Sequence, residues 1–228
     1  MNDPVARRQF LLGTAAGAVA GSIPAPPVVA AETPAAAAPP PATPSPETYQ
    51  TLTATEAAFM TAVADCMIPA DELSPSGSEC GVVAFVDRQL AGAYGAGARF
   101  YRAGPFQPAA PGQGYQLPLT PLEFFRAGIA DADSWCKQTF GKSLDRLSTA
   151  DQVAALTAME KDKKAFFAAL LQIVMEGFFS DPIYGGNRNM ASWRMLGYPG
   201  LPATYANKID IYRGKRFEAE PQSIADFS

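Results

Sequence analysis

Two capping boxes constrain this chain more than any other feature. Thr53-Ala54-Thr55-Glu56 and Thr120-Pro121-Leu122-Glu123 each place a threonine three residues before a glutamate. At a helix start, each side chain of such a pair can accept the other residue's free backbone N–H. Behind each box, apolar residues recur at helical spacing: Phe59, Met60, Val63 and Met67 after the first, and Phe124, Phe125, Ile129, Trp135 and Cys136 after the second. The pattern predicts a helix over Thr53–Met67, ended by Pro69, and another from Thr120 to about Phe140 with Pro121 at its first position. Three more helices are predicted: Val82–Leu90, Ser148–Met159 with Ser148 as N-cap and Asp151 at N3, and Lys164–Phe178. Polar residues 69–79 and the Pro/Gly-rich stretch 103–119 read as loops. Gly92, Gly95 and Gly97 are spaced GxxGxG with no strand before them, so they read as a loop and not as a phosphate cradle. No series of period-two strands stands out. The expected fold is mainly α, a single compact helical domain over 51–228 with long Pro/Gly loops.

Residues 1–31 have another character. Arg7 and Arg8 are followed by Phe10 and Leu11, then by a weakly apolar Ala/Gly run from Gly13 to Ile23. That run is short of what a bilayer crossing needs. The pattern predicts a twin-arginine export signal, cut after Ala30 or Ala31. The plainer alternative is a chance arginine pair ahead of a general secretory signal. Cleavage would remove Asp3, Arg7 and Arg8 and take the formal charge from −4 to −5. The mature protein is then expected in the periplasm. Pro and Ala dominate residues 32–50, which read as a tether without a core of its own.

The residue inventory excludes several chemistries. There is no histidine, hence no Ser-His-Asp triad, no Cys-His dyad and no His-ligated metal or haem. The three cysteines form no CxxC or CxxCH, so neither a classical iron–sulfur set nor covalent haem attachment is expected. The acidic balance without a basic stripe argues against nucleic acid. Twin-arginine export carries folded proteins, often cofactor-loaded ones, yet nothing here looks like a cofactor site. A chain that escorts a cofactor-bearing partner resolves that tension.

Residues 177–200 read GFFSDPIYGGNRNMASWRMLGYPG. Ser180-Asp181-Pro182 should end the preceding helix in a turn. Tyr184-Gly185-Gly186-Asn187 asks for backbone angles that Gly and Asn tolerate, and Trp193 and Tyr198 add aromatic surface. This string resembles the small subunit, subunit 3, of the gluconate 2-dehydrogenase family. The opening of the domain is similar too: the Thr-x-x-Glu cap, Ala62-Val63-Ala64-Asp65, Ile68-Pro69 with Asp71, and a Gly81-Val82 helix carrying Phe85-Val86-Asp87. The likeness spans about residues 53–200. It departs from the family at Cys66 and Cys80, where small or apolar residues are expected, and the last 25 residues match nothing in it.

The resemblance implies a three-part dehydrogenase of sugars or sugar acids. A large GMC-type subunit would carry FAD. A multi-haem cytochrome c subunit would take the electrons, pass them to quinone and anchor the complex in the inner membrane. The small subunit would have no cofactor of its own, carry the export signal, stabilise the large subunit and touch the membrane only through the complex. Catalytic, cofactor-binding and metal-binding residues are then expected to be absent from this chain. Ser180, Asp181, Pro182, Tyr184, Gly185, Gly186, Asn187, Trp193 and Tyr198 become a partner interface or a structural motif.

Other readings stay open at this point. Asp181, Tyr184, Asn187 and Arg188 could form a catalytic cluster, or Asp181 could cap a turn that Asn187 and Arg188 brace. Asp131 and Asp133, two apart on a helix, point to different sides. Asp71-Glu72 sit in a loop, and Lys161-Asp162-Lys163-Lys164 reads as solvated surface or a docking patch. In an oxidising compartment, Cys66 and Cys80 could form a disulfide that staples the loop between their helices, contributing about 3 kcal/mol. Cys136 is then a buried thiol beside Trp135 or a bridge to the partner. Phe106, Tyr115, Trp193 and Tyr198, in loop-rich segments, are candidate interface anchors. A stand-alone exported enzyme using carboxylates and tyrosine, and a periplasmic scaffold or ligand-binding protein unrelated to redox, are the competing functions.

Overall fold

The first capping box forms as the sequence predicts. In the computed structural model, Thr53 Oγ1 accepts from the Glu56 N–H at 3.3 Å, and a Glu56 carboxylate oxygen accepts from the Thr53 N–H at 2.8 Å. Helix α1 (Ala54–Met67) follows. Described are residues 48–107, 110, 114–201 and 204–227. Arg7, Arg8, Phe10 and Leu11, and the tether as far as residue 47, lie outside the described residues.

Helix α2 (Val82–Ala91) starts after Gly81, whose φ is 81°. Helix α3 (Pro121–Phe140) carries the second capping box, with the Thr120 N–H donating to Glu123 at 2.8 Å. That backbone bond, helped by the Thr120 hydroxyl, holds the Glu123 carboxyl below its ordinary range. Ser148 caps α4 (Thr149–Asp162), accepting from the Asp151 N–H at 3.2 Å. Helix α4 outruns its predicted end, leaving Lys163 alone before α5 (Lys164–Phe179). Two further short helices, α6 (Ala191–Leu196) and α7 (Ile209–Tyr212), lie in segments where no helix is predicted. No strand forms among the described residues, only an isolated bridge between Gly200 and Gln222.

Helix α1 runs through the middle, packed against α2, α3, α4 and α5, and α5 lies between α2 and α4. Its Phe59, Met60, Val63 and Ala64 are buried. Phe166 of α5 meets Phe124 and Phe125 of α3 edge-on at 6.2 Å, and the Phe59 ring lies 6.5 Å away. Edge-to-face pairs add about 1 kcal/mol each beyond burial. Tyr115 stacks flat on Phe124 at 3.9 Å, which ties the Pro/Gly loop down. Tyr115 is therefore half-buried packing, not a free anchor, while Phe106 lies beside it in a pocket of about 220 Å³. Lys163 is paired with Asp131, and Asp133 with Lys137 at 2.7 Å. The two aspartates answer different lysines and make no acid–base pair.

The expected disulfide is not present: Cys66, Cys80 and Cys136 are all free thiols. The Cys80 thiol points at the Pro75 carbonyl oxygen, 3.6 Å away. Hydrogen bonds close the loop instead. Asp65 accepts from the Ser78 N–H at 2.8 Å and from its hydroxyl at 2.9 Å, and the Gly77 N–H donates to the Ile68 carbonyl at 2.9 Å. Cys136 is fully buried in the core, so its sulfur has no surface from which to reach a partner. Burial pushes the Cys80 and Cys136 thiols up to about 11, leaving little thiolate to react at neutral pH.

Candidate functional site

The segment that ends α5 ties itself into a knot. Ser180 leaves the helix in an extended conformation. Asp181 then caps a single 3-10 turn, Pro182–Tyr184, accepting from the Ile183 N–H at 3.0 Å. Gly185 follows with φ 104°. At Gly186 the chain passes so close to α5 that a Cβ would sit 2.0 Å from the Gly177 carbonyl oxygen. No residue but glycine fits there without moving the backbone.

Asn187 is the centre of the knot. It is 0% exposed and left-handed, with φ 46°. Its Nδ2 donates to the Ser180 carbonyl at 2.9 Å. Its Oδ1 accepts from the Ser192 N–H at 2.9 Å and from the Ser192 hydroxyl at 2.8 Å. Asn189 and Met190 are also left-handed, with φ 56° and 53°, at about 1 kcal/mol each for an ordinary side chain. The bonds of Asn187 hold this costly run in place and lead into α6. There Trp193, 6% exposed, donates its indole N–H to the Phe179 carbonyl at 3.0 Å. That carbonyl is one of the orphaned acceptors at the end of α5. The knot also leans on the turn that leads into α2, since the Arg188 N–H donates to the Cys80 carbonyl at 3.0 Å.

The C-terminal residues close the unit. Asp181 accepts from the Ser223 hydroxyl at 2.7 Å and from the Ile224 N–H at 2.9 Å. Burial alone would push its carboxyl up, but the bonds from Ile183, Ser223 and Ile224 together outweigh it, and the net shift is downward. The Leu201 N–H donates to the Gln222 carbonyl and the Gln222 N–H to the Pro199 carbonyl, both at 3.0 Å. Gly200, at φ 66°, lies against the Trp193 ring, where a Cβ would be 2.6 Å from Cζ3.

Most of the singled-out residues are thus brought together, but with their polar atoms turned inward onto backbone. Ser180, Asp181, Asn187 and Trp193 brace the knot, and Trp193 is too buried to serve as a free anchor. Outward it shows apolar groups. Ile183, Tyr184, Leu196, Tyr198, Ile224 and Phe227 are all exposed, and the turn carrying Ile183 packs on the one carrying Ile224. Further back along α5, Leu171 and Met175 are also exposed. A groove of about 470 Å³ opens between α2 and the end of α5, with Phe85 and Phe179 in it and Gln89, Glu176 and Tyr184 along it. A helix as apolar as α5 is normally covered on all sides, so this face is where a partner would gain most.

Sequence reasoning missed three braces. Asp87 is 3% exposed and accepts the N–H groups of Gln50, Thr51 and Leu52 at 2.7, 2.9 and 2.9 Å. It latches the start of the domain to α2. Its place on the inward stripe with Val83 and Leu90 was the available signal, since a carboxylate there must be satisfied. Ser192 and Ser223 gave no local signal, because their partners lie elsewhere in the chain.

The described residues hold no group of three or more His, Cys, Asp or Glu placed to share a metal ion. No helix among them is long and apolar enough to cross a membrane. No curated protein and no solved structure matches the chain. The family described as gluconate 2-dehydrogenase subunit 3 matches residues 54–200. That range takes in α1 to α6 and the whole knot, and stops where the closing C-terminal segment begins. The chain belongs to the gluconate 2-dehydrogenase subunit 3 family.

Proposed function

We propose that this chain is the non-catalytic small subunit of a periplasm-facing, FAD-dependent dehydrogenase of sugars or sugar acids. Arg7, Arg8, Phe10 and Leu11 supply the twin-arginine signal, and the folded domain escorts and stabilises a large FAD-bearing subunit. FAD and haem c belong to partner subunits, the haem to a multi-haem cytochrome c that takes the electrons and holds the complex at the inner membrane. This chain binds and positions. It moves no proton and touches no substrate.

The observation that carries the reading is the apolar surface left exposed on α5 and on the knot. Leu171 and Met175 of α5, with Tyr184 and Tyr198, stay exposed while every polar brace of the knot is spent internally. Such a surface gains from desolvation by a partner, and rigid aromatics make good anchors. The knot fixes where Tyr184 and Tyr198 stand, so its stability sets the shape offered to the partner.

The test is co-expression of the full chain with a GMC-type FAD subunit from the same genome, followed by affinity capture and visible spectra. The expected result is a yellow complex, with haem bands when the cytochrome is present, and a colourless small chain alone. Leu171→Glu with Met175→Glu should cut capture at least tenfold and leave the melting temperature unchanged. Capture that survives both changes would move the docking face elsewhere. A chain that elutes alone and turns over a sugar would overturn the escort role.

A further inference from the structure

Helix α5 turns one stripe straight away from the core. Its buried residues, from Phe166 to Phe178, cover one side of the helix. At about 100° per residue, the side opposite them carries Ala165, Ala168, Gln172, Met175 and Phe179. The first four are exposed and Phe179 is half-buried. Their spacing alternates three and four residues, the repeat that lets one helix hold a continuous seam against another.

The two halves of this seam differ. Its N-terminal half is small, with Ala165 and Ala168, and its C-terminal half is large, with Met175 and Phe179. Gln172 lies between them, its amide donating to the Glu176 carboxylate at 2.8 Å. Charge is graded along the same line. Lys164 opens the helix and Glu176 stands in its last turn, while the first turn holds no acid and the last turn no base. Each end therefore carries the sign that its own helix dipole disfavours.

We infer that α5 pairs antiparallel with α5 of a second copy of this chain. With the two-fold axis at Leu170, Ala165 lies opposite the second copy's Met175 and Ala168 opposite its Gln172, so each small residue meets a large one. Both halves then make the same contacts, as an isologous interface requires. The same register sets Glu176 of one copy level with Lys164 of the other, where it offsets both the lysine and the helix end. A parallel pair would set like sizes and like charges side by side. The second copy's Phe179 comes to the start of α5, where an apolar hollow of about 520 Å³ opens beside Leu119, Phe124 and Ala165. Met175 belongs to the seam and Leu171 borders it, so the second copy covers the face assigned above to the FAD subunit until that subunit displaces it. This competition rests on that assignment, and the pairing itself does not.

The test is sedimentation equilibrium of the purified full chain, followed by disulfide cross-linking. The expected result is a dimer that dissociates on dilution. Met175→Glu should raise its dissociation constant at least tenfold, with an unchanged circular dichroism spectrum to check the fold. Ala165→Cys chains mixed with Met175→Cys chains should cross-link under mild oxidation, while either variant alone gives no more cross-linking than the parent chain. A monomer, a dimer that survives Met175→Glu, or Ala165→Cys chains that cross-link among themselves overturns the inference. A monomeric chain that captures the FAD subunit would remove the second copy and leave the proposed function standing. A dimer that cross-links as expected but never captures the FAD subunit would support the pairing and remove the proposed function.

Discussion

Replacing Asn187 with alanine tests the knot at its centre. The change removes three hydrogen bonds from a site with no solvent exposure: one to the Ser180 carbonyl and two from Ser192. Each buried group left without a partner costs about 1–3 kcal/mol. Placing an alanine at φ 46° adds about 1 kcal/mol that asparagine largely avoids. Allowing for some relaxation and water entry, the sum is about 4 kcal/mol, a large part of the stability of a typical domain. The assay is urea unfolding of the full chain followed by tryptophan fluorescence, since Trp193 reports on the knot directly. Ser192→Ala alone should cost about 1 kcal/mol, through its hydroxyl. The double variant should cost about 1 kcal/mol less than the sum of the two, because the hydroxyl has nothing to donate to once Asn187 is gone. An Asn187→Ala cost under about 1 kcal/mol, or strict additivity, would refute the view that Asn187 organises this segment.

Asp87→Ala should cost about 3 kcal/mol, because three buried N–H donors lose a charged acceptor. Hydrogen exchange should show the Gln50, Thr51 and Leu52 amides losing protection before the rest of α1, and unchanged protection would remove the latch. Asp181 has its folded-state carboxyl lowered by bonds to Ile183, Ser223 and Ile224. Its stabilisation is therefore complete above its ordinary value of 3.8 and fades as pH falls through the lower folded-state value. Acid titration watched at the Ile224 amide should release the C-terminal segment in that window, and Asp181→Asn should abolish the dependence. Thiol counting under denaturing conditions without reductant should find all three cysteines free. Under native conditions the half-exposed Cys66 should label before Cys80 and Cys136, and a count of one thiol would restore the disulfide.

The predicted helices survive because their signals are local. Thr53 and Thr120 sit three residues from their glutamates, so each cap could be read without knowing where the chain goes next. The same holds for Ser148 with Asp151, and for the apolar spacing that placed α2 and α5. The end of α4 was placed short because Lys161 and Asp162 look like loop. They are instead its last turn, with Lys163 held by Asp131 from α3. Spacing alone made Cys66 and Cys80 a plausible pair. Which sulfur faced what was decided by the turn at Pro75 and by Asp65 taking over the loop.

The candidate site divides in the same way. The string from Ser180 to Gly200 announced itself by its turn residues and its family likeness, and that much was determined by sequence alone. Its polarity was not. Only the folded chain turns Asn187 and Trp193 inward and leaves Tyr184 and Tyr198 outside. Only there does Ser223 meet Asp181, 42 residues away. Local sequence determines backbone preference and helix phase, because those depend on neighbours within about four residues. Which donor finds which acceptor across tens of residues depends on how the helices pack. For that reason the five long helices of this protein could be read in advance, while its latch and its knot could not.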